Sequence, residues 1–187
     1  GSSSISYAVE AKSTIAWPSA VSSDSSNGTI AYATANPTTF IGCNSNNYDW
    51  YYTGDSSTDN TRWTTSSSDK SIYDPCPAGW RVPDGGSNGI WSKAGFDDTT
   101  YNFTNEGISF SISSPSTTWY PASGYRNYYD GSLNLVGSSG DYWSASPNVD
   151  FSNFMHFLSF NYYGYVNQSI SGDTRAEGYS VRCLQVI

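Results

Sequence analysis

The stretch from Trp119 to Cys183 constrains the chain more than any other. It reads WYPASGYRNYYDGSLNLVGSSGDYWSASPNVDFSNFMHFLSFNYYGYVNQSISGDTRAEGYSVRC. Short apolar or Gly-bearing islands alternate in it with clusters of Tyr, Asn, Ser, Asp and Phe. The islands (WYPASGYR, GSLNLVGSSG, YWSAS, Leu158 with Phe160, GYSVRC) read as framework. The clusters are Asn127 to Asp130, Asn148 to Asn153 and Asn161 to Tyr165. A folding core has no need of such runs, whereas a recognition surface does. Tyr gives rigid amphipathic area at low entropy cost, and Asn, Ser and Gly give adaptable hydrogen bonding.

Only 13% of the 187 residues are charged, while 17% are aromatic. A surface that is polar but mostly uncharged fits an extracellular protein, and this aromatic content argues against disorder. The formal net charge of −8 disfavours nucleic acid and anionic membranes as partners, because both need a basic footprint. No apolar run approaches the about 18 residues of a membrane helix. The opening GSSSIS resembles a trimmed end, which leaves room for a secretion signal or lipid anchor removed from it. An extracellular location is the expectation.

Helix is scarce in the pattern. The best candidate is a short one over 90–96. Strands are expected at Ile5–Ala8, Thr29–Thr34, Ile108–Ile112, Tyr142–Ser146, Met155–Asn161 and Tyr179–Val186, with STIAWP (Ser13 to Pro18) a further candidate. In ISFSI, strict alternation points Ile108, Phe110 and Ile112 inward. In Met155–Asn161, Leu158 and Phe160 share a face with His156, while Phe157, Ser159 and Asn161 share the other. If Leu158 and Phe160 fill the core, Phe157 is directed outward as part of a contact surface. Residues 1–27 are expected to be a leading segment, part of the domain or a linker to it, and 28–187 one ligand-binding domain.

Five motifs occur in order: NPTTFI (36–41), SIYDPCPAGWRVP (71–83), WYPASGYR (119–126), YWSAS (142–146) and GYSVRCLQV (178–186). Together they resemble the C-type-lectin-like C-terminal domain of Bacteroides-type fimbrillin-like surface proteins. That domain is similar to the Fibrobacter major paralogous domain and, more distantly, to the formylglycine-generating enzyme fold. The resemblance spans roughly residues 28–187. It implies an α+β fold of small twisted sheets with long irregular loops and terminal strands near each other. It also implies a Cys76–Cys183 disulfide, closing a loop of about 100 residues, and a buried free thiol at Cys43. The alternation of clusters and islands further resembles the variable region of diversity-generating retroelement target proteins, in which template adenines are mutated. A near-copy of the 3′ coding end beside a reverse-transcriptase gene, differing mainly at adenines, is the genomic mark of that process.

The expected ligand-binding residues are Asn127, Tyr128, Tyr129, Asp141, Asp150, Phe151, Phe154, Phe157, Ser159, Asn161, Tyr162, Tyr163 and Tyr165. The retroelement reading omits Tyr165 and adds Leu135, Ser139, Asn148, Val149 and Asn153. Trp50, Trp63, Trp80 and Trp91 read as framework or core rings, although such rings also stack on sugars. Trp119 and Trp143 read as core. His156, the one histidine, reads as structural, and no Ser-His-Asp or Cys-His set assembles around it. Asp97, Asp98 and Glu106 read as solvated loop acids, not as a glycosidase pair. The EPN, QPD and WND tripeptides of calcium-dependent lectins are missing, as is an EF-type loop. No metal, other cofactor or catalytic residue is expected. The resulting expectation is a surface-displayed binding module for an extracellular protein or glycan. The alternatives are a structural fimbrial subunit and, third, a glycan-active enzyme.

Overall fold

The computed structural model describes residues 19–43, 48–54, 58–63, 70–97, 102–113, 116–148, 150–151 and 153–186. The strand candidates Ile5–Ala8 and Ser13 to Pro18 lie outside them. In chain order the elements are β1 (Ser19–Ser22), α1 (Ile30–Ala35), β2 (Thr39–Gly42), β3 (Trp80–Arg81), α2 (Ile90–Lys93), β4 (Asn102–Phe103), β5 (Gly107–Ser113) and β6 (Ser116–Pro121). They continue with β7 (Tyr125–Arg126), β8 (Leu133–Asn134), β9 (Ser139–Pro147), β10 (Phe154–Asn161), β11 (Val166–Thr174) and β12 (Leu184–Gln185). The protein is thus built mostly of small sheets with little helix.

Two antiparallel three-stranded sheets, β9–β10–β11 and β4–β5–β6, carry the fold. Pairs β1–β2 (parallel), β3–β12 and β7–β8 complete it. The main core lies between the three-stranded sheets and α2. Trp91 and Phe96 meet Ile108 and Phe110 of β5, Tyr120 of β6, Tyr142 of β9, and Leu158 and Phe160 of β10. Phe96 and Phe110 stack at 3.9 Å, and the Trp91 indole N–H donates to the Tyr120 hydroxyl at 3.2 Å. The alternation in ISFSI therefore places Ile108 and Phe110 as expected; the Ile112 side chain is outside the description.

A second, smaller core holds Cys76, Val82 and Ala145, with Trp63, Val181 and Cys183 against it. The Cys76–Cys183 disulfide lies here and ties β3 to the segment leading into β12. Asp74 organises the DPCP turn: its carboxylate accepts from the Cys76 and Val82 backbone N–H groups at 2.8 and 2.9 Å. Cys43 is a buried free thiol.

Three expectations need correction. Thr29–Thr34 is not a strand; Thr29 caps α1, its hydroxyl accepting from the Tyr32 N–H at 3.0 Å. The cap and three alanines outweigh the β-branched residues there. Tyr179–Val186 is extended only in part. It pairs as β12 at Leu184–Gln185 and touches β9 through a lone bridge from Ser180 to Tyr142. Trp119 is 45% exposed on β6 rather than in the core. Its ring lies across Gly107, where an added Cβ would approach it to 2.5 Å.

Candidate binding face

Three turns carry the exposed Tyr129, Phe151, Tyr162, Tyr163 and Tyr165 side chains, and an asparagine or aspartate braces each turn. In the 127–132 turn, Asn127 Oδ1 accepts from the Tyr129 N–H and Asp130 Oδ1 from the Ser132 N–H, both at 2.9 Å. Tyr129 is 71% exposed. The turn rests on Gly42, where a Cβ would stand 2.6 Å from the Tyr128 carbonyl oxygen, so glycine is required for this close approach. The Cys43 N–H donates to that same oxygen at 3.1 Å.

In the 148–151 turn, buried Asn148 accepts through Oδ1 from the Asp150 and Phe151 N–H groups at 2.8 and 3.0 Å. Phe151 projects outward beside half-buried Phe154, which also meets Tyr48 edge-on at 6.0 Å. In the 161–165 turn, Asn161 Oδ1 accepts from the Tyr163 N–H at 3.0 Å and the Tyr165 N–H at 3.4 Å. Tyr162 and Tyr163 lie ring against ring at 3.8 Å, and Tyr163 is 78% exposed. These are Asx-type turns, in which a short polar side chain replaces a backbone partner. Asn127, Asn148 and Asn161 thus hold turns in shape, a role the sequence reading did not assign them.

The last two of these turns do not adjoin one another. Strand β10 joins the last two, and its eight residues span about 23 Å at about 3.3 Å each. Between its ends Phe157 is covered and Ser159 is half-buried. Phe157 is 5% exposed and Asp141 6%, which overturns the expectation that both face outward. The facing argument assumed that only one side of β10 is packed. Leu158 and Phe160 do fill the main core, but a second layer lies over the opposite side. There Phe157 meets Trp143 at 5.8 Å and Tyr179 at 4.9 Å, and Tyr179 meets Tyr125 at 5.9 Å. Ser139 and Asn148, added by the retroelement reading, are buried as well; Leu135 is exposed, and Val149 lies outside the described residues.

This second layer holds an acidic group of which the sequence reading named only Asp141. Asp141 accepts hydrogen bonds from Ser159 and Ser139, and the Tyr179 hydroxyl donates to Asp173 at 2.6 Å. Buried Glu177 receives the Tyr128 backbone N–H. A signal was available: Asp173, Arg175 and Glu177 crowd into five residues of a chain otherwise poor in charge. Burial pushes Glu177 from 4.5 up to about 8, with Asp173 and Asp141 adding to the rise. Burial likewise raises Asp141 from 3.8 to about 6 against the serine hydrogen bonds, and Asp173 contributes. Between about pH 4.5 and 8 the native state therefore keeps protons that the unfolded chain has already released. Stability falls as pH rises through that window. Thermal unfolding measured in steps across it should show a declining Tm, and Glu177→Gln should flatten the decline. A Tm that climbs from pH 5 to pH 8 would contradict this assignment.

Of the other candidates, His156 packs its ring near Gly86, and Glu106 is exposed; Asp98 lies outside the described residues. Among the described residues no group of three His, Cys, Asp or Glu side chains is placed to hold a metal ion. No described helix is long and apolar enough to cross a membrane. Comparisons with protein-family models, curated proteins and solved structures give no match.

Proposed function

We propose that this protein is a surface-displayed binding module with a C-type-lectin-like fold, recognising an extracellular protein through its exposed tyrosine and phenylalanine turns. The small sheets, the irregular loops and the Cys76–Cys183 bridge support the fold reading. One observation carries the functional reading. Aromatic side chains stand out in solvent on turns whose backbones are fixed by Asn127, Asn148 and Asn161. Rings on a pre-shaped turn lose little entropy on binding, so their buried area converts efficiently into affinity. A protruding Tyr-rich surface suits a protein partner; a sugar would ask for a groove. Binding is non-covalent, and the retroelement reading extends it: exposed positions such as Tyr129, Phe151 and Tyr163 are where residues can be exchanged at least cost to the fold.

The test is a surface-plasmon-resonance screen against immobilised extracellular matrix and bacterial surface proteins. For a partner found this way, Tyr129→Ala or Tyr163→Ala should weaken binding about tenfold or more, as for aromatic anchors. Neither should move Tm, because exposed substitutions stay within about 0.5 kcal/mol. Asn161→Ala should also weaken binding, by loosening the turn. Binding indifferent to all three turns would sink the proposal. Self-assembly at micromolar concentration, lost on the same substitutions, would instead identify a fimbrial subunit.

A further inference from the structure

A cavity of about 400 Å³ opens beside Trp143 and Tyr179, and none of the exposed turn aromatics lines it. Its volume is in the range of small-molecule pockets. Trp50 and Trp63, both half-buried, line it together with Phe40, Met155 and Tyr179. Its charges cancel locally. The Arg62 guanidinium forks onto both oxygens of buried Asp49 at 3.0 Å and lies over the Trp50 and Tyr51 rings. Arg175 donates to the Asp59 carbonyl at 2.7 Å and to the Asn60 side-chain oxygen, with the Asp59 carboxylate nearby. Glu177, 8% exposed, lines the same cavity, and its Oε2 is buried without a hydrogen-bond partner.

A buried polar oxygen with no partner costs free energy until something donates to it or accepts from it. The cavity has no surplus charge to draw an ion, and the raised pKa of Glu177 keeps its carboxyl protonated at neutral pH. What remains is a lining of aromatic rings together with carboxyl, amide and guanidinium groups. That combination suits a ligand with an apolar C–H face and hydroxyls round its edge. We infer that this cavity binds a single neutral saccharide ring, with its flat face on Trp50 or Trp63 and a hydroxyl on Glu177 Oε2. The site adjoins the backbone of the 127–132 turn, through Glu177 and Phe40, but uses none of the exposed turn rings.

Tryptophan fluorescence of the full chain tests this, titrated with methyl α-glucoside, methyl β-galactoside, N-acetylglucosamine, indole and benzoate. At least one sugar should give saturable binding at millimolar concentration. Glu177→Gln preserves a neutral donor and acceptor, so it should hold affinity within about threefold, whereas Glu177→Leu and Trp50→Ala should each lose about tenfold. Tyr163→Ala should change nothing, which separates this site from the turns. No saturable sugar binding by the folded protein would overturn the inference. So would tighter binding of indole or benzoate than of every sugar, or sugar affinity unchanged in both Glu177→Leu and Trp50→Ala.

Discussion

Replacing Cys76 and Cys183 together by alanine should lower the unfolding free energy by about 4 kcal/mol. The bridge spans a sequence separation of 107 residues. In the chain-entropy account a loop of that size restricts the unfolded chain by about 4–5 kcal/mol, and measured values are often smaller. The crosslink also closes the small core, since Cys76 is buried against Val82 and Ala145. For a chain of this size the loss corresponds to a fall in Tm of about 10 °C. Thermal unfolding followed by near-UV circular dichroism should show it. A shift of less than about 2 °C would mean that β3 and the C-terminal segment are held by packing alone.

Phe157→Ala and Phe160→Ala should each cost about 3–5 kcal/mol, the range for a buried ring cut back to a methyl group. The two side chains leave β10 on opposite sides. Phe160 is wholly buried, edge-on to Phe110 at 6.3 Å and beside Tyr142 at 6.2 Å. It fills the space above Gly140, where a Cβ would meet the ring at 2.2 Å. Phe157 is held by Trp143 and Tyr179. Urea unfolding of the two variants decides whether both faces of β10 are load-carrying. If Phe157→Ala stays within about 0.5 kcal/mol of the parent, as an exposed residue would, the second layer is not packed as described.

The same strand shows what could be read in the sequence. Its position and the inward placement of Leu158 and Phe160 follow from alternation alone. So do the inward faces of Ile108 and Phe110, and the short helix at 90–93 lies inside the expected 90–96. Period two tells which residues share a face, but it does not tell whether the other face meets water. Here Trp143 of β9 and Tyr179 near the C-terminus cover it. Asp141 and Phe157 were misplaced for that reason. Trp119 was misplaced because an aromatic island reads the same whether its ring fills a core or lies across a glycine at a sheet's edge. The exposed turns were legible as clusters of Tyr and Asn, yet their internal arrangement was not. Composition does not separate an asparagine that meets a partner from one that accepts its neighbours' N–H groups.

Cys43 has a practical consequence for handling the protein. Its sulfur is buried beside the 127–132 turn, and burial raises its pKa to about 11, with Glu177 and Asp49 adding to the rise against its own backbone hydrogen bond. Thiolate is the species that attacks disulfides and takes up alkylating reagents. The oxidised native chain therefore presents no nucleophilic sulfur to its surroundings. It should stay free of covalent dimers in air, and it should accept a maleimide label only after unfolding or at an introduced surface cysteine.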